Sequence, residues 1–227
     1  AFNFIARSYF CGMQDTFRHQ GLRKRLVGEL KDLGIHDEKV LAAIQKIPRH
    51  FFMDASFVEK AYENIPFPIG RGQTISNPFT VAYQTQLMEI QEGDTVLEIG
   101  TGSGYQAAVL AEMDVVLYTI ERHQPLSNKA EKLLHELKYN NVKCFYGDGF
   151  EGLPAFAPFD KIIITAAAPE IPQKLMDQLA VGGSMIIPLG EGDTQKMLRI
   201  KRLVNNHYEK EILDTFTFVP MLKGVEN

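Results

Sequence analysis

From residue 95 onward one pattern repeats along the chain. A short, apolar, β-rich run is followed by a stretch with helical spacing. The runs are TVLEI (95–99), VLYTI (116–120), VKCFY (142–146), KIIIT (161–165) and SMIIPL (184–189). Helical stretches at 104–113, 124–138 and 169–180 lie between them. Strands that are apolar throughout need cover on both faces, and β and α alternating along a chain build a parallel sheet with helices on each side. The expectation is an α/β fold with a mostly parallel, doubly wound sheet. From residue 196, KMLRIKRL, the polar VNNHYEKE and ILDTFTFVP read as an antiparallel C-terminal hairpin.

The first third is different. Leu22, Leu26, Leu30 and Leu33 fall at helical spacing before Gly34, and a second helix runs from Asp37 to Pro48. Residues 49–70 are aromatic and proline-rich, suited to short helices and turns. FTVAYQTQLMEI, from residue 79, is again helical. The organisation expected is a helical extension and covering loop at 1–78 and a ligand-binding domain at 79–227, together one compact unit of 227 residues. The opening AFNFIARSYFCGM carries Asn3, Arg7 and Ser8 among its apolar residues. It reads as a loosely attached arm or docked helix, not a membrane segment.

Composition narrows the classes. A net charge of −4 weighs against a nucleic-acid binder. Two isolated cysteines, Cys11 and Cys144, form neither a disulfide framework nor a zinc pattern and suit a reducing cytoplasm. The six histidines show no ligand spacing, so no metal is expected.

VLEIGTGSGY, residues 96–105, places Gly100, Gly102 and Gly104 between a strand and a helix, where backbone comes close to a ligand. A dinucleotide loop needs G-x-G-x-x-G, and Tyr105 stands at the sixth place. A hydrolase elbow needs G-x-S-x-G, and Thr101 stands where its first glycine belongs. An acidic residue followed by G-x-G-x-G is the loop that holds S-adenosylmethionine, a donor with an ammonium and a sulfonium, and Glu98 supplies the acid. Glu121 ends the second strand, where a carboxylate accepts ribose hydroxyls. Asp148, in YGDGF after the third strand, is placed to accept from an adenine amino group. The expected fold is thus a Rossmann-like class I S-adenosylmethionine-dependent methyltransferase.

The acceptor is a separate question. Amino-methylating enzymes often carry [DN]-P-P-[YF] after the fourth strand, where this chain has TAAAPEIP. The acidic residues that would hold a polyamine are absent there too. Small-molecule or nucleic-acid methylation and a non-catalytic binding module stay open on these residues alone. GRGQTISNPF, residues 70–79, has no apolar period and reads either as a linker or as part of the chemistry.

Several stretches resemble the protein-L-isoaspartate O-methyltransferase family: VLAAIQKIPRHFF, AYENIPFPIGRGQTISNPFTVA, VLEIGTGSGYQAAVLA, YGDGFEGLPAFAPFDKIIITAAAPEIP, LMDQLAVGGSMIIPLG and FVPMLKG. The resemblance runs from about residue 20 to residue 224 and leaves 1–13 outside. It implies methylation of the free α-carboxylate of isoaspartyl residues in damaged peptides and proteins. The ester then closes to a succinimide, which makes the activity one of repair. It further implies Ser76 as the active-site serine, on a loop with Thr74 and Ile75 that meets both cofactor and substrate. Val219, Pro220 and Met221 fall in the segment that holds the substrate backbone. Glu98, Gly100, Thr101, Gly102, Ser103, Gly104, Glu121, Asp148 and Gly149 would hold the cofactor, whose product is S-adenosylhomocysteine. The chain is expected to be a cytoplasmic monomer with no nucleic-acid or membrane partner. A carboxylate is ionised at pH 7, so its methylation needs positioning by neutral donors rather than a general base.

Overall fold

The computed structural model describes residues 14–227, and the arm expected at 1–13 lies outside them. Helix α1 (Phe17–Asp32) starts at Thr16, whose hydroxyl accepts from the His19 amide while the His19 ring accepts from the Thr16 amide. Gly34, at φ 95°, turns the chain away after it. Helix α2 (Glu38–Lys46) is capped by Asp37 and buries Val40, Leu41, Ala43 and Ile44. Two short 3-10 turns, Arg49–Phe52 and Ala55–Lys60, follow.

The next segment departs from the expectation. Part of GRGQTISNPF is strand: β1 (Phe67–Gly70) and β2 (Gln73–Ile75) form an antiparallel hairpin with Phe67 opposite Ile75. Its turn holds Gly70, Arg71 and Gly72 at φ 94°, 54° and 68°, a reversal that two flanking glycines make possible. Burial of Phe67 and Ile75 holds the register although the segment is too short to show a period. Helix α3 (Pro78–Leu87) then begins on an Asn77 cap with Pro78 in its first turn.

The main sheet contains β3 (Thr95–Ile99), β4 (Val116–Glu121), β5 (Val142–Tyr146), β6 (Phe159–Ile164), β7 (Leu179–Leu189), β8 (Gln195–Arg202) and β9 (Tyr208–Phe216). Their order is β5-β4-β3-β6-β7-β8-β9, parallel from β5 to β7 and antiparallel beyond. Helices α4 (Tyr105–Ala111), α5 (Gln124–Glu136) and α6 (Gln173–Gln178) fill the crossovers. α6 is shorter than its expected span because Pro169 and Pro172 delay its start. The chain enters β7 directly at Leu179, ahead of the expected 184.

Alternate residues of the central strands serve two cores. Val96, Ile163 and Ile186 face one that also contains Leu26, Ile44, Val81 and Leu110. Leu97, Ile162 and Met185 face the other, with Phe150, Leu175 and Met176. The N-terminal helices therefore share a core with the sheet. β9 is an edge strand whose Glu209, Lys210, Glu211 and Asp214 are exposed.

Candidate active site

β3 lies between β4 and β6, the point at which successive crossovers run in opposite directions and a crevice opens beyond the strand ends. The glycine loop turns there. Gly100 has φ 97°, and a Cβ on it would stand 2.6 Å from Thr165 Oγ1. The Thr165 hydroxyl is within bonding distance of the Ile99 and Gly100 carbonyls, at 3.0 and 2.8 Å, so β6 braces the loop from the far side.

The three acids at the strand ends have three different environments. Glu121, 5% exposed, lines the crevice. Its Oε2 accepts from the Gly102 amide at 2.8 Å and its Oε1 from the His123 amide at 2.9 Å. Glu98 is fully buried and does not line the crevice, contrary to its expected contact with the ligand. It lies beneath the loop, where Thr119 Oγ1 donates to its Oε2 at 2.6 Å and stands 2.6 Å from Thr101 Oγ1. Its Oε1 has no partner among the described residues. Burial pushes this carboxyl up to about 8. Asp148 lines neither cavity and is bonded to backbone. Its Oδ1 accepts from Phe150 N at 2.8 Å and its Oδ2 from Gly224 N at 2.6 Å. Its neighbour Gly149 lines the crevice instead, where a Cβ would stand 2.5 Å from Ile99 Cγ2.

The crevice contains two cavities, of about 60 and 50 Å³, which share Gln73, Gly100, Glu121 and Ala166. The first is lined by Thr74, Ile75, Ser76, Thr101, Gly102, Ser103 and Val219, among others. The second is lined by Ile99, Ile120, Arg122, His123, Gly149, Pro220, Met221 and Leu222 as well. All the residues expected at the site reach one of these walls except Glu98, Gly104 and Asp148. Gly104 is the left-handed cap of α4.

Two segments form the outer wall. One is the β1–β2 hairpin. The other is the tail from Val219, which is pinned to the end of β6 by Ala167 N to Val219 O and Met221 N to Ala167 O, both 2.7 Å. Further on, Gln124 N donates to Glu226 O at 2.9 Å and Glu226 N to Arg122 O at 2.8 Å. The Glu226 carboxylate stands 3.1 Å from the Arg122 guanidinium and 3.5 Å from the His123 ring.

Ser76 is half-buried, and neither its hydroxyl nor its amide has a partner among the described residues. Its carbonyl accepts from Arg49 Nη2 at 3.0 Å. Gln73, Thr165 and Ala166, which flank recognisable motifs, were legible as neighbours of the site; Arg49 carries no signal beyond its place in PRHFF. The fold also brings together Asp15, His19 and His50, which sequence spacing left apart. Asp15 is committed to a two-pronged pair with Arg23 at 2.8 and 3.0 Å. His50 is bonded through both ring nitrogens, to Tyr62 Oη and Gln14 O. Burial holds it near 4, and the group reads as a packed polar cluster.

Known proteins resemble this chain over most of its length. The family model described as protein-L-isoaspartate(D-aspartate) O-methyltransferase matches residues 21–226. A protein-L-isoaspartate O-methyltransferase of Cytophaga hutchinsonii is 51% identical over 92% of this chain and 95% of its own. One of Flavobacterium psychrophilum is 51% identical over 93% of this chain and 99% of its own. Among solved structures, a putative protein-L-isoaspartate O-methyltransferase of Plasmodium falciparum in complex with S-adenosyl-L-homocysteine superposes with a TM-score of 0.78. It is 28% identical, over 89% of this chain and 99% of that one.

Proposed function

The chain belongs to the protein-L-isoaspartate(D-aspartate) O-methyltransferase family, and from that premise we propose how its residues divide the work. It is an S-adenosylmethionine-dependent carboxyl O-methyltransferase acting on L-isoaspartyl residues of peptides and proteins. In such a residue the chain continues through the side-chain carboxyl, and the α-carboxylate is left free.

The lining of the crevice suits the donor. Ile99, Ile120, Met221 and Leu222 give one end apolar walls suited to a flat base. Glu121 offers the carboxylate that vicinal hydroxyls need, and Glu98 would act from beneath the loop, through Thr119 and Thr101. When bound, S-adenosylmethionine supplies an electrophilic methyl group that an ionised carboxylate accepts without a general base.

The protein's task is then orientation and exclusion of water. In this reading Ser76 is the catalytic residue: its hydroxyl and amide hold one oxygen of the α-carboxylate and leave the other free to react. Thr74 and Ile75 separate donor from acceptor. Val219, Pro220 and Met221 line the path of the extended substrate on the tail side of the crevice. Gly100, Gly102 and Gly149 bring bare backbone to the donor, and at Gly100 and Gly149 the fold itself requires glycine, since a Cβ there would collide with Thr165 or Ile99. The free Ser76 donors beside the glycine loop are the observation that carries this assignment. We read the chain as a cytoplasmic monomer without nucleic-acid partners, in keeping with its acidic balance and with Cys144 unpaired. No helix among the described residues is long and apolar enough to cross a membrane.

The test is transfer of labelled methyl to paired peptides that differ only in isoaspartyl or aspartyl linkage. Base-labile label on the first alone is expected. Equal labelling of both would sink the reading.

A further inference from the structure

The acceptor cavity has an electrostatic problem. Its lining contains no lysine, arginine or histidine, and its one charged member is the carboxylate of Glu121. An anionic substrate entering beside that group meets repulsion. Arg122 lines the adjoining cavity but is paired with Glu226, and another cation lies behind the wall. Arg49 is 0% exposed, and its guanidinium donates to three carbonyls: Ala61 at 2.5 Å, Ile65 at 3.3 Å and Ser76 at 3.0 Å. It stands 5.7 Å from the ring centres of both Phe67 and Tyr105. No carboxylate pairs with it among the described residues, and its Nε has no partner.

Buried arginines ordinarily sit against a carboxylate, because an uncompensated charge is costly to bury. Here the charge is left standing, and carbonyl dipoles and aromatic faces solvate it. A structural clamp could be made from neutral donors. Resting on the assignment of Ser76 above, we infer that Arg49 is an electrostatic positioning residue. It fixes the Ser76 carbonyl, and its unneutralised charge selects an anion at the Ser76 hydroxyl. The bond also polarises the Ser76–Asn77 peptide, whose Asn77 amide has no partner among the described residues. Arginine suits the role better than lysine. Burial lowers this group only to about 10, so it stays charged through the working range, whereas a lysine in its place would tend to lose its proton.

The experiment measures binding of two peptides with the enzyme saturated in S-adenosylhomocysteine, which carries no sulfonium charge. One peptide has the isoaspartyl α-carboxylate and the other the α-carboxamide at the same place. The wild type should prefer the carboxylate by about tenfold or more, and Arg49→Gln should reduce that to about threefold or less. Affinity for the carboxamide and for S-adenosylhomocysteine should stay within a factor of about three. A wild type without the preference, or a folded Arg49→Gln that keeps it, overturns the inference.

Arg49→Lys gives a second readout if the glutamine variant does not fold. Its preference should titrate away with a midpoint below the ordinary lysine value, while the wild type stays flat from pH 5 to 7, below the range in which Glu98 ionises. The other titratable groups near this spot are Tyr62 and Tyr105, which burial raises, His50, which it holds near 4, Glu121 on the cavity wall, and Glu98 under the loop, which burial pushes up to about 8. A lysine variant with the wild type's flat, full preference overturns the inference as well. Normal methylation of the isoaspartyl peptide by Ser76→Ala would instead remove the assignment on which it rests, so the two failures are distinguishable.

Discussion

Asp148 and Gly224 are joined across the mouth of the crevice by a 2.6 Å bond from the glycine amide to the carboxylate. With the other oxygen on Phe150 N, this aspartate ties the loop after β5 to the tail. Asp148→Ala should therefore act through the wall. Affinity for S-adenosylhomocysteine should drop about tenfold, and cleavage within 219–226 by a trace of protease should accelerate. Calorimetry and timed digestion read both. Unchanged values would mean that Val219–Met221 and Glu226 hold the tail without it.

Ser76→Ala removes a hydroxyl that makes no bond among the described residues, so the fold should not notice. Turnover on an isoaspartyl peptide should fall about 100-fold, with S-adenosylhomocysteine affinity within about twofold of wild type. Normal turnover would remove Ser76 from the chemistry.

Glu121 has two functions that its variant will expose together. Glu121→Ala should weaken S-adenosylhomocysteine binding by about tenfold or more. It should also lower stability by about 1–3 kcal/mol, because the Gly102 and His123 amides lose their acceptor. Calorimetry and urea unfolding measure the two effects; unchanged affinity would refute the ribose assignment.

Glu98 gives a pH signature. Its carboxyl titrates near 8 in the fold against 4.5 in an unfolded chain. The folded state thus holds the proton more tightly. The resulting stabilisation is complete below pH 4.5 and is lost as pH rises through about 8. Glu98→Gln cannot ionise, so its urea midpoint should gain on that of the wild type between pH 5 and pH 8, by a few kcal/mol in free energy. Parallel profiles for the two proteins would show that the carboxyl is not strained by its burial.

The sheet was legible because its strands are apolar on both faces, and the β3, β4 and β5 runs fall where the sequence places them. The β1–β2 hairpin was not, since two strands of four and three residues leave no period, and what fixes them is the burial of Phe67 and Ile75. At the site, Glu121, Gly100 and Gly102 line the crevice. Glu98 and Asp148 show where a motif stops being informative. It gives a residue's place at a strand end, and burial and backbone partners decide which way the carboxylate points. Arg49 was invisible for a related reason, because its meaning lies in the absence of a counter-ion, which only the packed chain shows.

The charged edge of β9 matters for an enzyme whose substrates are damaged, partly opened chains. Such chains arrive with unpaired backbone and would readily add themselves to any bare strand. Glu209, Lys210 and Glu211 on that edge make such pairing unfavourable, although Ile212 among them is 69% exposed. Charge on the strand farthest from β5 thus disfavours strand addition at that rim of the sheet.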